Sequence, residues 1–189
     1  MIIFSQTSMN ILNYNKIVIF GASGAGKSYM SKRIAELTEY PVYHLDAVFF
    51  QQGWVTVSED EFIARQREMM SGSAWIIEGN YKKTMEFRVA AADLIILLEV
   101  NRFVRIWTTA LRQYKKRPEL PDLEKRSVFG KEFLDLVKLQ WSHGKATHDK
   151  VMELYDKYPN KTLLHIKGRR GAKKILKEWE YKKIMIDNQ

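Results

Sequence analysis

Residues Gly21 to Ser28 read Gly-Ala-Ser-Gly-Ala-Gly-Lys-Ser, a complete G-x-x-x-x-G-K-[ST] spacing. Glycines at these positions let the backbone curl until several N–H groups point at one anion, and a helix opening at Gly26 adds the positive end of its dipole. A lysine placed as Lys27 is reaches the β- and γ-phosphates of a nucleotide, and a hydroxyl placed as Ser28 is ligates Mg²⁺. The nucleotide-binding set is therefore Gly21, Ala22, Ser23, Gly24, Ala25, Gly26, Lys27, Ser28 and Tyr29. A Gly-rich turn capping a helix is the plain alternative. At ordinary glycine usage such a string arises by chance in roughly one chain of this length per hundred. The apolar run Lys16–Phe20 before it and the helical pattern from Tyr29 to Leu37 after it tell further against chance.

Phosphoryl transfer also needs metal, positive charge and a positioned acceptor. Asp46 follows the second apolar run, where open parallel sheets bind their ligands. It is a candidate for holding Mg²⁺ through water or for accepting a proton from an acceptor hydroxyl, against the alternative of a solvated loop cap. Glu78 closes Trp75-Ile-Ile-Glu-Gly-Asn-Tyr81, an acid after an apolar strand in the manner of a Walker B carboxylate, with a buried, paired glutamate as the competing view. Gly79 lets backbone approach a ligand, and Asn80 offers both donor and acceptor. Arg88 is a candidate for gripping an acidic or phosphorylated acceptor. Arg102, Arg105, Arg112 and Lys116 fall on one helical face behind the candidate N-cap Asn101, and Lys115, Arg117 and Arg126 continue it. Such a face is either solvated or turned toward phosphate. Lys27, Asp46, Arg112 and Arg117 are the candidate catalytic residues. The histidines (His44, His143, His148, His165) look too scattered for a zinc site, and His143 and His148 read as surface residues.

The elements that must position these groups alternate along the chain. Apolar runs at Ile17–Phe20, Val42–His44, Trp75–Glu78, Leu94–Glu99 and Thr162–Ile166 have the near-continuous hydrophobicity of buried parallel strands. Helical patterns separate them, which argues for an α/β sheet with helices on both faces. The first helix is expected to reach about Thr38. A second starts at Ser58, whose spacing to Glu61 is that of a capping box, and a third covers Lys83–Ala91. Residues 129–158 read as helix interrupted around Ser142–Gly144, and a last helix runs from about Gly171 to Trp179. Pro118 and Pro121 bound a charged loop, so 112–130 is the candidate lid. Residues 1–14 read as a loosely attached extension, ahead of one domain over 15–189.

The chain has 189 residues, 46% of them apolar, enough for one well-filled α/β core. It contains no cysteine, which excludes a disulfide framework and thiolate chemistry and fits a reducing cytoplasm. No apolar run has the length of a membrane span. The net charge of +9 sits in the C-terminal half, with 12 basic against 6 acidic residues over 101–150 and 10 against 5 over 151–189. Nucleic acid and phosphorylated small molecules both call for such charge, and composition does not choose between them.

Taken together, Gly21–Ser28, Pro41-Val-Tyr-His-Leu-Asp46, Gly53-Trp54, Trp75–Tyr81, Thr84 with Arg88, Ala92-Asp93 and Arg117-Pro118 resemble small P-loop kinases of the adenylate-kinase and shikimate-kinase type. More narrowly, they look like the DNA topology modulation proteins. The resemblance spans about Lys16 to Leu176. It implies a three-layer αβα fold with five parallel strands in the order 2-3-1-4-5, ATP as donor with Mg²⁺, a closing lid, and a nucleotide-like or other small acceptor. In related folds the loop after the fifth strand packs the adenine, which points to Arg169. The adenylate-kinase string Asp-Gly-Phe-Pro-Arg is replaced here by Glu-Gly-Asn-Tyr-Lys, and the Asp-x-Asp of shikimate kinases is absent. The acceptor therefore stays open. The alternatives are a nucleotide-switched DNA-binding regulator, less favoured because no recognition helix stands out, and a simple NTPase. Oligomeric state is not legible.

Overall fold

The computed structural model describes residues 9–51, 55–105 and 131–188, with 131–143 described by backbone alone. Five strands form one all-parallel sheet: β1 (Lys16–Gly21), β2 (Val42–His44), β3 (Trp75–Glu78), β4 (Leu94–Glu99) and β5 (Thr162–Lys167). Their order across the sheet is β2-β3-β1-β4-β5, as the resemblance implied. Around it lie α1 (Lys27–Thr38), α2 (Leu45–Phe49), α3 (Glu59–Met70), α4 (Met85–Ala91), α5 (Lys131–Lys157) and α6 (Gly168–Asp187).

The central strand shows why the strands read as unbroken apolar runs. Successive side chains of a strand point to opposite faces, and here both faces are covered. Ile17 and Ile19 pack with Ile34 of α1 and Ile175, Leu176 and Trp179 of α6. Val18 and Phe20 pack with Phe62 of α3, Val89 of α4 and Val151 and Leu154 of α5. With water excluded on both sides, alternation of polar and apolar residues has no function, and β1 is apolar and buried from Ile17 to Phe20.

Local signals hold at several element ends. Ser58 Oγ accepts from the Glu61 backbone N–H at 3.2 Å and caps α3. Asn101 Oδ1 accepts from the Phe103 N–H at 2.9 Å, beginning a helical turn over 102–105.

Other expectations are corrected. Residues 9–14 do not hang free: Ile11 is fully buried, and the Met9 carbonyl accepts from Trp179 Nε1 at 3.1 Å and Lys182 Nζ at 3.0 Å. The apolar residues ahead of β1 thus cover the seam between α1 and α6. No interruption occurs at Ser142–Gly144, because α5 is continuous from Lys131 to Lys157. Gly144 serves close approach instead, since a Cβ there would lie 2.8 Å from Arg105 Nη2. The last helix begins at Gly168 and ends at Asp187, so Gly168, Arg169 and Arg170 are its first turn and not a loop. Arg112, Arg117, the lid span 112–130 and Trp54 lie outside the described residues.

Candidate functional site

The strand order brings four carboxyl ends together. Residues Ile19 and Glu78 are register partners on β1 and β3, and His44 is the partner of Glu78 on β2. Leu98 of β4 is the partner of Gly21, the first residue of the glycine loop. Side chains far apart in the chain therefore meet beside the N-terminus of α1.

Glu78 is the hub. It is buried, and its Oε1 accepts from Ser28 Oγ at 2.9 Å and from His44 Nδ1 at 2.9 Å. An ionised carboxylate only accepts, so the His44 nitrogen facing it carries a proton. Burial opposes the charge on Glu78, but the His44 hydrogen bond, the Lys27 ammonium and the Ser28 hydroxyl outweigh it and hold the carboxyl below its ordinary value. Of the two views of Glu78, the buried, paired one is what the structure shows, with the loop serine and His44 as its partners. His44 was missed as a site residue. Its signal was available, because His44 and Glu78 both end apolar runs, but it needed the β2-β3 adjacency to be used.

The loop fits a polyphosphate. Gly26, at φ 98°, precedes α1 with no side chain capping the helix, which leaves that anion-seeking terminus to a ligand. A Cβ at Gly26 would meet no atom within 4 Å, so the loop opens onto free space there. The hydroxyl of Ser28 and the carboxylate of Glu78 are a hard oxygen pair of the kind Mg²⁺ takes. Ala22 and Ala25 are buried, Ser23 is exposed, and Tyr29 is 52% exposed on the first turn of α1.

On the other side of Glu78 stands the Gly79–Tyr81 loop. The Tyr81 hydroxyl donates to Asp46 Oδ1 at 3.0 Å. Burial and the negative charge of Asp46 push the Tyr81 phenol up, so it remains a donor. Its ring packs against Phe49 at 5.0 Å and Phe62 at 4.8 Å between centroids. Tyr81 sits at φ 33°, a left-handed conformation that a bulky residue adopts only under constraint. Asn80 does not face outward alone: its Oδ1 accepts the Gly21 N–H at 3.2 Å, tying this loop to the glycine loop.

Arg88 supplies the constraint. Its side chain is fully buried, lies over the Phe20 ring at 5.2 Å, and donates to the carbonyls of Gly79 (2.7 Å), Asn80 (2.5 Å), Tyr81 (3.2 Å) and Thr84 (3.1 Å). Burial pulls its guanidinium down to about 9, still charged at neutral pH. Expected to grip an acceptor, Arg88 instead spends its donors on the backbone of the loop. A single arginine after a strand cannot announce which of these it does.

A cleft of about 570 Å³ lies between Gly21 and Ala22, the end of β4, Arg102, Arg105 and the stretch Gly144–Asp149 of α5. Arg105 is 6% exposed on its wall, and its Nε and Nη1 have no hydrogen-bond partner. Burial pulls this guanidinium below its ordinary value. Arg169 is exposed at the start of α6. The histidines do not all stay apart: His148 and Glu99, both on the wall of this cleft, meet His165. Among the described residues no helix is long and apolar enough to cross a membrane.

The sequence matches no protein-family model and no curated protein. The fold is that of P-loop small-molecule kinases. A gluconokinase from Sinorhizobium meliloti 1021 superposes with a TM-score of 0.53 at 15% identity, covering 94% of this chain and 95% of that one. Shikimate kinase from Bacteroides thetaiotaomicron gives 0.53 at 17% identity, over 89% and 97%. Shikimate kinase from Acinetobacter baumannii, solved with shikimate, gives 0.55 at 14% identity, over 95% and 97%. These likenesses bear on the kinase fold and not on the narrower resemblance to DNA topology modulation proteins.

Proposed function

We propose that this protein is an ATP-dependent, Mg²⁺-requiring kinase of a small acceptor bearing a hydroxyl or phosphate. The observation that carries the proposal is the linked set Ser28–Glu78–His44 beside an uncapped helix N-terminus, with Asp46 and Tyr81 on the far side of Glu78. Bound with Mg²⁺, ATP supplies an electrophilic γ-phosphoryl group. The loop amides and Lys27 bind the phosphate chain. Ser28 and Glu78 hold the cation, and His44 fixes the carboxylate that orients it. Arg105, buried with unpaired N–H groups on the cleft that Gly21 and Ala22 line, neutralises charge spread over the transferring group.

Asp46 is the general base. It is exposed at the start of α2, and Tyr81 holds one of its oxygens while the other takes the acceptor proton. The aromatic rings of Phe49, Phe62 and Tyr81 form a wall suited to the apolar face of a small ring or chain. Arg112 and Arg117, in the candidate lid 112–130 outside the described residues, would add positive charge for the transferring group and help exclude water. Arg169 borders the base.

Phosphate transfer from labelled ATP, screened over pools of sugars, hydroxy acids and nucleotides, tests the proposal. Asp46→Asn should lower kcat for the accepted substrate about 10²–10⁴-fold, the usual contribution of a general base, while ATP still binds. ATP turnover at an unchanged rate with no acceptor in any pool would identify a simple NTPase and overturn the reading.

A further inference from the structure

Glu99, His148 and His165 come from three separate elements, and their candidate ligand atoms all lie within 4.8 Å of one another. We infer that they form a binding site for a divalent transition-metal ion of the zinc class, distinct from the Mg²⁺ site at the glycine loop. Sheet geometry accounts for the meeting. Leu97 and His165 are register partners, so they share a face of the sheet, and Glu99 lies on that face two residues further along β4. Leu97 packs in the same core as Val151 of α5, and His148 precedes Val151 by three residues, on the same side of the helix.

The distances suit a cation. A tetrahedral ion with bonds of about 2.0–2.1 Å separates its ligands by about 3.3 Å. Glu99 Oε2 and His165 Nε2 are already 2.8 Å apart, and the two imidazole centroids are 5.5 Å apart. The metal would take the place of the proton shared by Glu99 and His165, with the three ligand atoms drawn into one shell from within 4.8 Å of one another. Asp149 Oδ1 lies 3.3 Å from His148 Nδ1. A carboxylate accepting that N–H leaves Nε2 to the ion, the usual support for a ligating histidine. All three groups are partly exposed, so an ion can enter and a water or phosphate oxygen can complete its shell.

The chemistry selects the class of ion. Two imidazoles and one carboxylate favour zinc, cobalt or nickel over magnesium or calcium, which prefer all-oxygen shells. Arg102 and Lys145 line the same cleft as Glu99 and His148, so net charge does not draw a cation there; the ring nitrogens must. The ion would pin α5 to the β4–β5 edge one turn beyond Gly144, where the helix receives Arg105.

Titration of the chelator-treated full chain with Co²⁺ alone, followed by visible absorption and calorimetry, tests the site. One Co²⁺ per chain is expected, displaced by Zn²⁺ and not by Mg²⁺, with a rise in melting temperature on Zn²⁺ addition. Loss of a metal's outer-shell partner costs about 10–100-fold in affinity, so His148→Ala, His165→Gln and Glu99→Gln should each cost at least that much. His44→Ala should leave the binding intact. Circular dichroism identifies the variants that keep their fold, and Glu99→Gln, altered at an exposed side chain, serves if a histidine variant does not. No Co²⁺ bound by the native chain, affinity unchanged in the folded variants, or loss in His44→Ala alone would overturn the assignment.

Discussion

Arg88→Lys is a conservative exchange on paper, and this structure makes it a damaging one. The guanidinium is fully buried and reaches four backbone carbonyls from three nitrogens. A lysine keeps the buried charge but concentrates its donors on a single nitrogen, which cannot span the same set. Tyr81 O retains the Thr84 N–H at 3.0 Å and the Thr84 hydroxyl at 3.1 Å, so it is not orphaned. The carbonyls of Gly79 and Asn80 depend on the fork, and at least one of them loses its donor. Each buried acceptor so orphaned costs about 1–3 kcal/mol. No relief of desolvation offsets this, because the charge stays and an ammonium is more strongly hydrated than a guanidinium. A loss of about 1–3 kcal/mol follows for one orphaned carbonyl and about 2–6 kcal/mol for both, which for a chain of this size lowers the melting temperature by at least about 2 °C. Differential scanning fluorimetry and urea denaturation measure it. Hydrogen exchange should quicken first in residues 79–84, the loop that Arg88 clamps. Arg88→Met, which also removes the buried charge, should melt no lower than Arg88→Lys. If Arg88→Lys melts as the native chain does, within about 1 °C and so below the least expected cost, the clamp is wrong and the side chain is available to a ligand after all.

Further outcomes are expected. ATP with Mg²⁺ at about 100 times its dissociation constant should stabilise the native chain by about 2.7 kcal/mol, a melting shift that Lys27→Ala should abolish; an equal shift in the variant would remove the phosphate from this loop. Gly79→Ala would place a Cβ 2.8 Å from Leu45 Cβ at a φ of 139°, and should cost about 1–3 kcal/mol in urea denaturation. Glu86 is held below its ordinary carboxyl value by hydrogen bonds from Lys157 and Tyr158 and by the charge of Lys157. Its contribution is complete above that ordinary value and fades as pH falls through the lowered one, so Glu86→Gln should flatten the acid side of a stability–pH curve. A variant curve parallel to the native one down to the acid transition would contradict that.

Much of this was legible because it was local. A strand buried on both faces must be apolar at every position, and Ile17–Phe20 declares itself in that way. The glycine loop carries its backbone demands in its composition, and Ser58 and Asn101 cap helices through contacts two or three residues away. What escaped was non-local. Nothing near His44 in the chain says that it will meet Glu78, 34 residues on, because that depends on β2 lying beside β3. The same holds for His148 and His165, which look scattered until α5 is laid over β5. Arg88 misled for a different reason. Its charge suggests an outward task, whereas bending a chain through a left-handed tyrosine leaves inward carbonyls that only a strong, branched donor can satisfy. Gly144 misled as a helix breaker: it lies within a continuous α5, with the Arg105 guanidinium packed beside it.

The hydrogen bonds also say which parts of the site can move. Asn80 ties the Gly79–Tyr81 loop to Gly21, and Glu78 ties Ser28 to His44. Arg88 then fixes the loop to α4 from below. The proposed donor and acceptor sides therefore share one braced floor, so neither can shift without breaking contacts of the other. That suits in-line transfer, where a misplacement of about 1 Å can cost about 10²-fold in rate. A floor so tied resists movement as ligands enter and leave, which turns attention to Arg105 beside the glycine loop. Its backbone N–H closes the helical turn after β4 onto the Asn101 carbonyl at 3.1 Å, and its guanidinium is buried against Gly144 of α5 with donors to spare. A cation held at that junction can respond to charge arriving at the glycine loop while the floor stays still.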